Sequence, residues 1–280
     1  ADDTQLYSTT KTKNIDDVVT RVEECVTDVK EWMDANKLKM NGSKTEVMIV
    51  GNKNQLWMND DLGVLICDER VGVSKTVKNL GVVFDSEMKM SAHISALCKS
   101  LYFQLKKISS IRQYISVETC KTLVVVLIFS KLDYCNSLIV NLPQTSTKKL
   151  QLLQNNAARL VLGKRKFDHA TPLLASLHWL PIDKRAYYKA ACLVYKCMDG
   201  KAPAYLTDHV VTCRQEKYYL RSFNDQTKTI EKRSRTKFGD RSFASFGPKI
   251  WNELPRGLRE CESLDSFKNN LKTYLYRLSF

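Results

Sequence analysis

The chain has 280 residues, 44% of them apolar and 26% charged, which is material for one large or two ordinary domains with a real core. Its longest apolar run, Leu123 to Phe129, is far too short to span a bilayer. A net charge of +14 and a pI near 9.3 favour a polyanionic partner, most simply nucleic acid, over a basic surface that is only solvated.

The first seven residues, Ala1 to Tyr7, place two adjacent carboxylates, Asp2 and Asp3, before a short run that reads as a strand, Thr4 to Tyr7. On a tight hairpin such a pair can hold a divalent cation of the kind that stabilises the attacking and leaving oxygens in phosphoryl transfer. After a polar connector, Ile15, Val18, Val19, Val22, Cys25, Val26, Val29, Trp32 and Met33 recur at helical spacing. Asn14 fits the N-cap, and Asp16 and Asp17 suit the positive end of the helix dipole. The stripe is expected to pack on a sheet.

Gly42 marks a turn and Lys44 stands at the mouth of an expected strand, Glu46 to Gly51. Short strands are expected at Leu62 to Ile66 and Val71 to Val77, and another over Asn79 to Asp85. From Ser91 the pattern turns helical. Ile94, Leu97, Leu101, Leu105, Ile108, Ile111 and Ile115 form one stripe, with Lys99, Lys106, Lys107 and Arg112 on other faces. Ser116 fits the cap of a second helix. A third is expected over 145–163, running into Lys164-Arg165-Lys166, and a fourth from about 183 to 198, stopping at Gly200. Ser263 fits the cap of a last helix.

Between 212 and 247, basic residues that include Arg233, Arg235 and Lys237 alternate with aromatics that include Tyr218, Phe238 and Phe246. This composition fits either a track for a nucleic-acid backbone and its bases or a charged loop whose aromatics pack on the domain. Nine cysteines, without paired metal-ligand spacing, read as reduced and mostly buried thiols. No signal-peptide pattern is present, so a nuclear or cytoplasmic, non-secreted location is expected. His93, His169, His178 and His209 are scattered, and no glycine spacing matches a phosphate-cradling loop.

Several of these segments together resemble non-LTR (LINE-type) retrotransposon reverse transcriptases. Ala1-Asp2-Asp3-Thr4-Gln5-Leu6-Tyr7 is similar to the end of the YADD box. Trp32-Met33, Asn36, Leu38, Met40-Asn41 and Lys44-Thr45 resemble the motif that follows it. Val77 to Val82, with Asp85, is similar to the primer-grip hairpin. Lys131 to Leu138, and Leu152, Gln154, Asn155, Ala157, Ala158 and Arg159, resemble the region after the thumb. So do Phe238 to Phe243 and the segment with Pro248, Trp251, Asn252, Leu254 and Pro255.

The resemblance covers nearly the whole chain. It implies an α+β architecture: part of a polymerase palm (hairpin, helix, short antiparallel strands), then a mostly helical thumb and C-terminal extension. The implied domains are 1–90 (palm with primer grip), 91–200 (thumb and post-thumb) and 201–280 (basic extension). It also implies RNA-directed DNA polymerase activity with Mg²⁺ as cofactor, and an RNA template and DNA primer as partners. By the same resemblance Asp2 is the metal-binding aspartate, Asp3 its partner, and Lys44 the proton donor to pyrophosphate. Lys99, Lys106, Lys107, Arg112, Lys164, Arg165, Lys166, Arg233, Arg235 and Lys237 are the expected nucleic-acid contacts.

The family's other metal-binding aspartate and its fingers would precede residue 1. The chain alone is therefore expected not to polymerise and to hold Mg²⁺ weakly. A non-catalytic nucleic-acid-binding module and a non-functional retroelement remnant are the competing expectations.

Overall fold

The computed structural model describes residues 4–9, 14–52, 62–67, 69–212, 227–234, 236 and 238–280. Asp2, Asp3, Arg235, Lys237 and residues 213–226 of the basic-aromatic stretch lie outside them. The fold is mixed helix and antiparallel sheet, and the chain divides into two compact units, Ala1–His93 and Ile94–Phe280.

In the first unit, helix α1 (Ile15–Ala35) begins with Asp16 and Asp17 in its first turn. Its Val26 packs with Val64 and Ile66 of strand β1 (Gly63–Ile66). Val19, Val22, Met40, Val47, Cys67 and Val71 surround this small core. The α1 stripe thus packs on a sheet, but only Val26 of the helix is buried, and Trp32 is 61% exposed.

Strand β1 pairs with β2 (Glu69–Gly72), and β3 (Thr76–Asn79) pairs with β4 (Val82–Asp85). The strand expected over 79–85 forms as β4 from Val82 to Asp85, and its expected start is a hairpin corner that joins it to β3. Leu80 and Gly81 both have positive φ, 45° and 84°, as the two-residue turn that matches strand twist requires. The run expected over 71–77 is likewise divided between β2 and β3 by a bend at Lys75.

Two other expected strands do not form. Residues 4–9 have no regular structure. Residues 46–51 are tied at single points rather than along a ladder: Val47 bridges Val73, Ser74 N–H donates to Val47 O at 2.8 Å, and Gly51 N–H donates to Ser86 O at 3.0 Å.

The second unit contains helices throughout. These are α2 (Ser91–Ile111), whose first turn holds the division between the units, then α3 (Val117–Val124) and α4 (Ser130–Asp133), joined by a π-helical turn over Val125–Phe129. They continue as α5 (Gln144–Val161), α6 (Ala170–Ser176), α7 (Ile182–Met198) and α8 (Ala204–Thr207), and end with α9 (Phe243–Glu253), α10 (Arg256–Arg259) and α11 (Leu264–Ser279). The caps expected in this unit form, because Ser116 Oγ accepts the Thr119 N–H and Ser263 Oγ accepts the Ser266 N–H, whereas Asn14 takes the N-cap position of α1 with no side-chain capping bond. Gly200, at φ +67°, follows α7.

Helix α7 is the hub. Its buried face is rich in small residues, Ala186, Ala190, Ala191 and Cys192, so α5, α9 and α11 can all pack on it. Gly247 of α9 allows the closest approach, since a Cβ there would meet Val194 Cγ2 at 3.3 Å and the Phe243 ring at 3.2 Å. Tyr195, Trp251 and Phe267 form an aromatic cluster, with Tyr195 stacked on Phe267 at 4.6 Å. The boundary expected near residue 200 therefore separates no units, because α9 and α11 pack on α7.

The thiols are less uniformly buried than expected. Cys120, Cys192 and Cys197 are buried, whereas Cys25 and Cys135 are exposed. Burial pushes the thiol pKa of Cys120, Cys192 and Cys197 up, which keeps them protonated and unreactive.

Candidate nucleic-acid interface

Helices α2 and α5 contain no Asp or Glu. The acid-free stretches reach further along the chain, from Met88 to Val117 and from Tyr134 to Phe167. On α2, Lys99, Lys106 and Lys107 are exposed, and Tyr102 and Phe103 are 41% and 57% exposed beside them. Spacings of three and four residues put these side chains on one side of the helix. Lys107 Nζ lies 4.6 Å from the centre of the Phe103 ring. Lys148 and Lys149 are exposed near the start of α5. Where the helices meet, Tyr102, Leu105, Lys106, Ser109, Asn156 and Leu160 line an open groove of about 300 Å³. Asn156 Nδ2 donates to Tyr102 Oη at 3.4 Å across it.

Arg112, expected among the nucleic-acid contacts, has a different place. Its guanidinium donates to Leu160 O at 3.0 Å, Val161 O at 2.9 Å and Ile115 O at 3.0 Å. Leu160 O and Val161 O belong to the last turn of α5, where a helix runs out of its own donors, and Leu160 O also accepts the Gly163 N–H at 3.4 Å. Lys164, Arg165 and Lys166 are exposed on the turn that follows. Arg233 is exposed on the segment 227–234. That segment is fastened to α9 by Asn252, which accepts the Thr229 N–H at 2.9 Å and donates to Thr229 O at 2.8 Å.

The post-thumb residues of the resemblance make internal contacts. Asp133 pairs with Arg185 through two hydrogen bonds, one from Nε at 2.9 Å. The Arg185 guanidinium lies 4.5 Å from the Phe129 ring centre, and Phe129 meets Trp179 edge-on at 4.4 Å. Fully buried Gln154 donates to Leu180 O at 2.9 Å and accepts from Gln151, which in turn accepts the Ile182 N–H that opens α7. No local sequence pattern marks the Gln154–Leu180, Gln151–Ile182 and Asp133–Arg185 partners, which lie 26, 31 and 52 residues apart.

Lys44 ends a short 3-10 turn, Gly42–Lys44, and is exposed. Asp85 accepts the N–H groups of Lys89 and Ser91 at 2.7 and 3.1 Å, which holds the chain as it enters α2. Among the described residues, no three His, Cys, Asp or Glu side chains gather as a metal site, and no helix is long and apolar enough to cross a membrane. No protein-family model matches the chain, and neither a curated protein nor a solved structure matches it.

Proposed function

We propose that the chain is a C-terminal part of a non-LTR retrotransposon reverse transcriptase and that its helical unit holds the RNA template and DNA primer. The observation that carries the nucleic-acid reading is the pair of acid-free helices, α2 and α5, with exposed lysines and aromatics around a shared groove. Cations there neutralise phosphates, and aromatic faces accept bases. The order of the sequence motifs supports the polymerase reading. In that reading Asp2 and Asp3 hold Mg²⁺, which stabilises the attacking and leaving oxygens. Lys44 offsets charge on the pyrophosphate. The same reading places the protein in the nucleus or cytoplasm, where its template is.

The working set of cations is Lys99, Lys106, Lys107, Lys164, Arg165, Lys166 and Arg233. Arg112 is left out because its donors serve backbone carbonyls. The test is equilibrium binding of a labelled RNA–DNA hybrid across a salt series. Binding that weakens steeply with salt and survives Asp2→Ala supports the reading. Absent or salt-independent binding overturns it.

A further inference from the structure

The turn after α5 is built to hold one aromatic ring out in solvent. Phe167 is 88% exposed, in the sequence Lys164-Arg165-Lys166-Phe167-Asp168. The backbone under it is fixed on both sides. Lys164 N–H donates to Arg159 O at 2.9 Å, and Gly163, at φ +63°, turns the chain out of the helix. Asp168 closes the turn twice: its carboxylate accepts the Arg165 N–H at 2.6 Å, and its own N–H donates to Arg165 O at 3.1 Å. Arg159 then anchors the far end, donating from Nε to Asp168 O at 2.9 Å and from a terminal nitrogen to Asn156 Oδ1 at 3.1 Å. Asn156 also lines the groove between α2 and α5.

A phenylalanine exposed to this degree gains little from folding, yet the turn that presents it is tied by five hydrogen bonds drawn from Arg159, Lys164, Arg165 and Asp168. Three cations precede the ring, and Lys166 Nζ lies 5.7 Å from its centre. A ring beside clustered cations suits a ligand that has both a π-face and phosphates. A base inside a duplex is already stacked, so the ligand is an unpaired nucleotide.

We propose that Phe167 stacks on an unpaired nucleobase of single-stranded nucleic acid while Lys164, Arg165 and Lys166 hold the flanking phosphates. This deepens the nucleic-acid reading and rests on it. The turn is a single-strand grip beside the groove, preorganised by Arg159 and Asp168.

The test uses the full chain, a short single-stranded oligonucleotide carrying 2-aminopurine, and a blunt duplex of the same sequence. Phe167→Ala is expected to weaken single-strand binding about tenfold, with the salt slope and duplex binding unchanged, whereas Phe167→Trp keeps the affinity. Replacing Lys164, Arg165 and Lys166 with Ala is expected to lower the salt slope by about 0.7 for each phosphate that is no longer held. If Phe167→Ala binds like the parent chain while the triple variant is weaker, the stacking proposal fails and the nucleic-acid reading stands. If Phe167→Ala weakens duplex and single strand equally, stacking on an unpaired base is also overturned. If the parent chain binds neither probe, both readings fail.

Discussion

Trp251 and Trp32 both lie in segments that carry the family resemblance, yet one is 2% exposed and the other 61%. In the helical unit, Trp251 touches Tyr195 and Phe267 and donates from Nε1 to Thr227 O at 2.8 Å. Its companions Asp133, Gln154, Arg159 and Asn252 are also engaged inside the unit. In the first unit, the buried core grouped around α1 consists, among the described residues, of Val26, Val64 and Ile66, and Lys44 faces solvent. A recognisable motif therefore means different things in the two regions. In the helical unit it records how the fold is fastened, so the interface has to be sought on exposed cations and aromatics. In the first unit, Trp32 and Lys44 remain available for contact.

The largest expected effect sharpens this contrast directly. Trp251→Ala should cost about 4 kcal/mol of stability, as truncating a buried aromatic does, whereas Trp32→Ala should cost no more than about 0.5 kcal/mol. Denaturant unfolding of the two variants checks it, and equal losses would break the comparison. Next comes the ion pair. Asp133→Ala leaves the half-buried Arg185 charge without its carboxylate partner and should destabilise by about 2 kcal/mol. A double variant, Asp133→Leu with Arg185→Met, should be less destabilised than that single variant, again by denaturant unfolding.

Asn252→Ala removes the side-chain bonds to Thr229 and Glu231 and leaves those that Ser245, Pro248 and Trp251 of α9 make to the 227–234 segment, at a cost of about 1–2 kcal/mol. Cleavage by trypsin at Lys228 and Lys232 should then become faster than in the parent chain.

The smallest effect concerns the first unit. His93 Nδ1 accepts the Val83 N–H at 3.4 Å, and burial lowers the pKa of the ring below its ordinary 6.5. The stabilisation from the neutral ring is complete above the unfolded value and is lost as pH falls through it towards the folded value. Amide exchange at Val83 should therefore speed up, beyond its intrinsic pH dependence, below about pH 6.5, and His93→Gln should remove that change.

Much of the helical unit is legible in the sequence because its signals are local. Stripes at helical spacing, Ser116 and Ser263 as caps, and Gly200 as a stop all act within a few residues. The first unit is harder to read because its strands are four residues long, and short apolar runs do not announce where they turn. Leu80 at positive φ is the clearest case, since leucine gives no turn signal. Arg112 reads as one more surface cation because its carbonyl partners in α5 are 48 and 49 residues away. The exposed lysines of α2 are readable from periodicity, but the groove they border with α5 depends on tertiary packing.

The most direct test of the central claim is the salt dependence of RNA–DNA hybrid binding by the parent chain and by a variant with Lys99, Lys106 and Lys107 replaced by Ala. If each of the three lysines holds one phosphate of the hybrid, the slope of log K against log salt should fall by about 2.7, and affinity should drop with it. An unchanged slope and affinity in the variant would contradict the account.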